Sequence, residues 1–276
     1  MDPTQWIRET ACSSDVATWY PVERIVWQGR TTFQDVTIAD VKGFGRCLFL
    51  DDEIQSSTYD EDMYHECLVH PAMLTAVSNT SPSSPLRILV IGGGEGATVR
   101  EVLRWADRVG HVTWVDIDGE LVKICREHLG WAPGTDSDPR VSYLAMDIRL
   151  FFESCRDTFD VIIVDLPDPD PAGDDLQDAE FWSAVVGHLK PITGVCATHV
   201  GPVRRPGYAS GMSYTLSVLG SGAFKHRLPY HVPMASFQDD WGFLLMSDTP
   251  PDLSAPLPDS ARFLTPAGLH YIFAWP

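Results

Sequence analysis

The stretch Leu86-Arg-Ile-Leu-Val-Ile-Gly-Gly-Gly-Glu-Gly-Ala97 constrains this chain more than any other. An apolar run enters three glycines, an acid and a fourth glycine, and a helical pattern follows from Thr98 to Trp105. That is a buried strand, a tight turn and a helix start, where backbone N–H groups can approach a bound nucleotide. A Cβ would block both the turn and the ligand's approach, so Gly92 and Gly94 are candidate contacts. Many α/β proteins carry such a turn, and the next strand sharpens the reading. Val112-Thr-Trp-Val-Asp-Ile-Asp118 ends in an acid about 20 residues past the glycines, where a ribose-binding carboxylate belongs. Asp116 is the candidate ribose ligand, and Asp118 suits the N-cap of a helix beginning near Gly119.

On either side of this motif the chain changes character. Residues 1–60 are β-rich, with strand candidates at Arg24–Gln28, Gln34–Ile38 and Arg46–Leu50, and are expected to form a small antiparallel domain. Asp60 to Val77 reads as a helix with an acidic first turn and a kink at Pro71. With the polar stretch Ser78–Pro85 it makes a connecting segment over 61–85. From 86 to 276 strands and helices alternate, which predicts a Rossmann-like, doubly wound and mostly parallel sheet. The expected strands are 86–91, 111–116, 141–145, 159–165, 194–198 and 241–246, and the expected helices 96–108, 119–129, 148–155, 178–189 and 207–220. Phe159-Asp-Val-Ile-Ile-Val-Asp165 is nearly all apolar and suits the middle of that sheet.

Ligands of open α/β sheets bind beyond the carboxyl ends of the strands. Here those ends carry Glu95, Asp116, Asp147 and Asp165, with Asp168 just downstream. Such a row repels phosphates and suits a ligand with hydroxyls and positive charge. S-adenosylmethionine and its decarboxylated form have that chemistry: adenosine, a sulfonium, an ammonium and no phosphate. Asp147 is placed to accept from the adenine amino group, or else to cap the next helix. Ile117 and Ile148, adjoining these acids, complete the expected nucleoside set. In Asp165-Leu-Pro-Asp-Pro169 two prolines stiffen the loop, and a carboxylate at the end of a buried strand can take a proton from an attacking amine. Asp170, Asp174 and Asp175 read as a solvated acidic turn.

The net charge of −18 excludes unassisted nucleic-acid binding, which needs a basic face, and draws cations instead. No apolar run approaches the ~20 residues that cross a bilayer, and no secretory signal is apparent. Cys47, Cys67, Cys125 and Cys196 sit in apolar segments without a CxxC pair, which points to a reducing cytoplasm. No metal-ligand spacing, Ser–His–Asp set or Walker loop is visible, so no metal is expected.

These residues resemble the polyamine aminopropyltransferases, the spermidine synthase family, and its thermospermine and bacterial or archaeal triamine-forming branch in particular. The matching motifs are Phe33-Gln-Asp35, Gly43-Phe-Gly45, Ile54-Gln-Ser-Ser57, Asp60-Glu-Asp-Met-Tyr-His-Glu66 with Val69–Met73, Gly92–Ala97 with Arg100–Leu103, and Val115–Leu121. Asp138-Pro-Arg140, Asp165-Leu-Pro-Asp168 and Trp241–Leu245 continue the match, in order, along nearly the whole chain. The resemblance implies aminopropyl transfer from decarboxylated S-adenosylmethionine to a small-molecule amine, leaving methylthioadenosine, in a homodimer or homotetramer. It implies Gln34, Glu95, Asp116 and Asp147 as donor ligands and Gln55, Tyr64 and His65 in the cleft. Asp165 falls at the catalytic acid/base position, with Tyr64 beside it, and Asp168 holds the amine.

The departures lie on the acceptor side. Pro167 replaces a hydroxyl residue, Thr198-His-Val-Gly201 stands where a Gln-Ala-Gly or Gln-Gly-Glu is common, and Val232–Asp240 lacks the family's late tyrosine. His199 thereby joins the expected substrate residues, and Arg204-Arg205 adds positive charge nearby. Two other readings stay open: a member redirected to methyl transfer or intramolecular alkylation, and a catalytically idle partner subunit. Retention of Asp165 and Glu95 counts against the last.

Overall fold

A computed structural model describes residues 5–10, 17–168, 176–203, 211–220 and 222–274. Two sheets organise the chain. The first is antiparallel, with strands β1 (Gln5–Glu9), β2 (Thr18–Arg30), β3 (Asp35–Val41), β4 (Gly45–Leu50) and β5 (Glu53–Ser57) in sequential order. The second contains β6 (Leu86–Gly92), β7 (Val109–Asp116), β8 (Val141–Ala145), β9 (Val161–Asp165), β10 (Val195–Pro202), β11 (His226–Met234) and β12 (Asp239–Ser247). Its order is β11-β12-β10-β9-β6-β7-β8, parallel from β10 to β8 and antiparallel where β12 and β11 add on. β9 lies between β6 and β10, and its Val161 to Val164 are fully buried, as its unbroken apolar run predicts.

The helices are α1 (Glu61–Asn79), α2 (Ala97–Leu103), α3 (Gly119–His128), α4 (Ile148–Ser154), α5 (Ala179–His188), α6 (Gly211–Leu219) and α7 (Pro266–Ile272). α1 packs on β9, β10, β11 and β12, and nearly every residue from Tyr64 to Val77 is buried. It continues through Pro71, the position of the expected kink, and ends at Asn79, two residues past the expected Val77. Proline has no N–H for the carbonyl four residues earlier. That carbonyl, on Cys67, instead accepts the buried Tyr230 hydroxyl at 2.8 Å.

α2 stops five residues short of the expected end at 108; tight turns from Val102 to Arg108 finish the segment and keep Trp105 buried. Asp118 caps α3 as expected, its Oδ1 accepting from Leu121 N at 3.0 Å. Asp147 caps α4, accepting from Arg149 N at 2.8 Å. β1, β5, β11 and α7 have no counterpart in the sequence reading. β11 carries Pro229 and Pro233, which argue against a strand, and it survives because it lies at the sheet edge. The solvated turn expected at Asp170, Asp174 and Asp175, Pro169, the pair Arg204-Arg205 and the start of the helix expected from 207 lie outside the described residues. No described helix is long and apolar enough to cross a membrane.

Candidate active site

Where the first sheet and α1 meet the carboxyl ends of β6, β7 and β9, they enclose a cavity of about 360 Å³. Every residue singled out from the sequence lines it: Gln34, Gln55, Tyr64, His65, Gly92, Gly94, Glu95, Asp116, Ile117, Asp147, Ile148, Asp165, Asp168 and His199. Glu9, Glu53 and Asp118 add further carboxylates, and no lysine or arginine is among the described lining residues. The cavity is therefore strongly attractive to cations.

Asp165, at the end of β9, is held from two sides. Tyr64 Oη donates to Oδ1 at 2.8 Å and Thr98 Oγ1 donates to Oδ2 at 2.5 Å. Burial, and then the neighbouring Asp165 carboxylate, push the Tyr64 hydroxyl well above its usual range, so it stays protonated and can only donate here. The glycine turn packs on the same residue. Gly92 has φ +80°, and a Cβ on it would fall 2.1 Å from the Asp165 carbonyl oxygen. Gly93 N donates to that oxygen at 2.9 Å. The obstruction at Gly92 is thus the main chain of β9 rather than a ligand.

On the β7 side, burial raises the Asp116 carboxyl to about 6, against the backbone N–H of Asp118 that its Oδ1 accepts at 2.8 Å. A Cβ at Gly94 would meet Asp116 Oδ2 at 3.2 Å, so glycine there keeps the approach to this carboxylate open. Gln34 Nε2 donates to Asp118 Oδ2 at 3.0 Å, which pins the tip of the first sheet to the start of α3. Thr31 Oγ1 adds a bond of 2.6 Å to the same oxygen.

Glu95 ends a buried chain of alternating charge. Its Oε1 accepts from Ser56 Oγ at 3.0 Å and lies 2.9 Å from His65 Nε2. His65 Nδ1 lies 2.6 Å from the carbonyl oxygen of Glu61 and 3.2 Å from its Oε2, and Arg100 closes the chain on Glu61 at 2.7 Å. Burial alone would make His65 harder to protonate, but its bonds to Glu61 and Glu95 prevail and hold it well above its usual range. Both ring nitrogens face acceptors only, which is the arrangement of an imidazolium. Glu61, despite burial, is held down at about 2 by His65 and Arg100.

On the far side of Asp165, His199 Nε2 lies 2.5 Å from the Leu166 carbonyl oxygen and its Nδ1 3.4 Å from Asp168 Oδ1. The Trp241 ring stacks on it at 6.2 Å between centroids, and Phe237 extends that wall.

Three comparisons place this geometry. Residues 61–253 match the spermine/spermidine synthase domain, and residues 5–58 match the spermidine synthase tetramerisation domain. The chain is 41% identical over 239 residues to polyamine aminopropyltransferase 2 of Hyperthermus butylicus, covering 85% of this chain and 75% of that one. The chain belongs to the spermine/spermidine synthase family. Another relative, polyamine aminopropyltransferase 2 of Pseudomonas aeruginosa, is 38% identical over 237 residues, or 83% of this chain and 64% of that one. Among solved structures, a spermidine synthase in complex with the transition-state analogue AdoDATO superposes with a TM-score of 0.86 at 25% identity, covering 99% of this chain and 92% of that one. The Thermotoga maritima spermidine synthase superposes at 0.83 with 23% identity over the same shares, a likeness of fold. The family is one of transferases, the fold is the methyltransferase-like α/β arrangement expected, and the tetramerisation match supports an oligomer.

Within this family site, sequence reasoning passed over Thr98, Ser56, Glu9 and Glu53. Ser56 stands inside a quoted motif, beside Gln55, and Thr98 opens the helical pattern three residues after Glu95, so their hydroxyls were within reach of the same argument. Glu9 had no such signal, because it reaches the cavity only through the pairing of β1 with β2.

One acidic cluster lies away from the cavity. Glu66, His70 and Glu101 each bring a potential ligand atom within 4.8 Å of the others. Arg104 bonds Glu66 at 3.1 Å and Glu101 at 2.9 Å, Trp105 Nε1 donates to His70 Nδ1, and the N–H groups of Arg262, Phe263 and Leu264 bind Glu66. A cation of the protein already fills the role a metal would take, and the cluster clasps α1, α2 and the C-terminal segment.

Proposed function

We propose that this cleft moves an aminopropyl group from decarboxylated S-adenosylmethionine to a small-molecule amine and releases methylthioadenosine. The observation that carries the reading is Asp165, oriented by Tyr64 and Thr98 at the glycine turn of a cavity lined by carboxylates. A sulfonium and an ammonium are the charges such a site stabilises.

In this reading Asp116 accepts from the ribose hydroxyls, with the main chain of Gly92 and Gly94 alongside. Asp147 receives the adenine amino group through the oxygen that does not cap α4, and Ile117 and Ile148 flank the base. Glu95 faces the donor's ammonium, and Gln34, bonded to Asp118, is a further donor ligand. Gln55, His65, Asp168 and His199 border the acceptor. A primary amine is protonated at neutral pH, its reference value being about 10.4, and has no lone pair to attack with. Asp165 takes that proton directly or through water. The freed nitrogen pair forms a C–N bond at the aminopropyl carbon attached to sulfur. The C–S bond breaks, its electron pair stays on sulfur, and the sulfonium becomes a neutral thioether. We assign the chain to a homodimer or homotetramer in the cytoplasm, where Cys47, Cys67, Cys125, Cys155 and Cys196, free among the described residues, stay reduced.

The test is to supply decarboxylated donor with a panel of amines and follow methylthioadenosine release. Amine-dependent release, lowered about 10²–10⁴-fold by Asp165→Asn with donor binding retained, is expected of a lost general base. No amine-dependent release from the wild type would overturn the assignment, and turnover of undecarboxylated S-adenosylmethionine alone would move it to another alkyl transfer.

A further inference from the structure

Thr31 begins the turn between β2 and β3, is 6% exposed, and is not among the described residues that line the cavity. Its hydroxyl is nonetheless fully committed. A hydroxyl has two lone pairs and one hydrogen to place. Oγ1 accepts from the main-chain N–H of Phe33 at 3.1 Å and of Gln34 at 3.2 Å. The hydrogen then has two acceptors within reach, the Gln34 carbonyl oxygen at 3.4 Å and Asp118 Oδ2 at 2.6 Å. The shorter bond, to a carboxylate, prevails.

Asp118 is equally occupied. It is 1% exposed, its Oδ1 accepts from Leu121 N at 3.0 Å, and its Oδ2 also accepts from Gln34 Nε2 at 3.0 Å. A carboxylate oxygen only accepts, so the nitrogen end of the Gln34 amide has to face it. The Thr31 hydroxyl therefore holds Gln34 at two points. It receives the Gln34 main-chain N–H, and it steadies the carboxylate that the Gln34 side chain binds. Asp118 N in turn donates to Asp116 Oδ1 at 2.8 Å, so one residue sets both the amide of Gln34 and the carboxylate assigned to the ribose.

We propose that Thr31 is a positioning residue of the donor site: through Asp118 it holds the Gln34 amide with its oxygen toward the cavity, where that oxygen accepts one ribose hydroxyl beside Asp116. This rests on the reading of the cleft as the site of a nucleoside donor. Without the Thr31 hydroxyl, Gln34 loses a main-chain anchor and Asp118 Oδ2 keeps the amide as its only side-chain partner. The amide is then free to swing, and the bond to the hydroxyl is made at an entropic cost.

The experiment measures, by calorimetry on the full chain, the affinity of methylthioadenosine and of its 2′-deoxy and 3′-deoxy analogues. Thr31→Val keeps the side-chain volume and should weaken methylthioadenosine about two- to tenfold, the scale of one neutral hydrogen bond. Thr31→Ser, which keeps the hydroxyl, should restore the affinity. The loss should vanish for the analogue lacking the hydroxyl that Gln34 receives, and vanish again when Thr31→Val is combined with Gln34→Leu. A role confined to packing α3 or holding Asp116 would weaken all three nucleosides alike and persist beside Gln34→Leu. Either result overturns the inference, as does wild-type affinity in Thr31→Val or an equal loss in Thr31→Ser. Gln34→Leu leaves Thr31 and Asp118 bonded, so it covers the case of a valine variant that does not fold. On its own it should abolish the preference for methylthioadenosine over that one analogue, and an unchanged preference also overturns the inference. A wild-type protein that binds no methylthioadenosine defeats the reading of the cleft itself.

Discussion

Tyr230 on β11 donates its hydroxyl, at 2.8 Å, to the main-chain carbonyl of Cys67 in α1, the carbonyl that Pro71 leaves without a helical partner. The phenol ring also stacks on Phe243 and Phe273, so Tyr230→Phe keeps the packing and removes only the donor. A buried carbonyl left unsatisfied costs about 1–3 kcal/mol. We expect Tyr230→Phe to lower stability by that amount in denaturant unfolding. Pro71→Ala supplies an N–H to the same carbonyl, so the loss on Tyr230→Phe should shrink in the Pro71→Ala background. Equal losses in both backgrounds would separate the two residues.

Asp116 gives opposite effects on stability and on ligand binding. Its folded value of about 6 stands above the ordinary 3.8. Below pH 4 the folded and unfolded chains are both protonated there, and the site costs nothing. Between 4 and 6 the folded state alone keeps the proton, so stability falls as pH rises, and above 6 the whole penalty, about 2–3 kcal/mol, is present. Asp116→Asn should therefore raise Tm at pH 8 and leave it unchanged near pH 4. The same change removes a charge-assisted bond worth roughly 1.5–3 kcal/mol, so methylthioadenosine affinity should drop at least about tenfold in calorimetry.

How much of this was legible in sequence depends on whether local pattern or distant pairing decides the element. The parallel sheet announces itself in β6, β7 and β9, where apolar runs end in glycine or acid, and those ends carry most of the cleft. β11 stayed hidden because its prolines obey an edge-strand rule that sequence alone cannot invoke without knowing which strand is at the edge. The imidazolium state of His65 was equally out of reach. Glu61 lies one turn before it in sequence, but Glu95 and Arg100 arrive from the glycine turn and α2, more than 25 residues away. The Thr198-His-Val-Gly201 departure marked His199 as unusual, yet only the fold brings its ring to Leu166 and Asp168.

The His65–Glu95 pair bears on the choice of donor. In the proposed reading Glu95 faces the place where an undecarboxylated donor would carry its own carboxylate, and like charges repel strongly in a site with little water. Glu95→Gln should narrow the preference for the decarboxylated donor, measured as the ratio of the two Kd values. His65→Gln removes the cation that fixes Glu95 and should weaken decarboxylated-donor binding. The folded His65 value lies well above the ordinary 6.5, so its stabilising contribution is complete below pH 6.5 and is lost as pH rises through the folded value. The Tm gap between wild type and His65→Gln should be widest in acid and narrow toward alkaline pH.

Tyr64 tests how far orientation of Asp165 matters for turnover. Its hydroxyl, held protonated by burial and by the Asp165 carboxylate, serves as a donor and does not compete as a base. It fixes Oδ1 while Thr98 fixes Oδ2, so the carboxylate presents one face to the amine. Tyr64→Phe removes one hydrogen bond to a charged group, worth roughly 1.5–3 kcal/mol, without emptying the space of the ring. That converts to a loss of about 10–100-fold in kcat, with methylthioadenosine affinity nearly unchanged because Asp116 and Asp147 are untouched. Activity should still rise with pH in the variant, since the rise belongs to the amine's own proton and not to the phenol. A Tyr64→Phe enzyme with flat pH dependence would make the tyrosine the titrating group, and one with wild-type kcat would show that Thr98 alone orients Asp165.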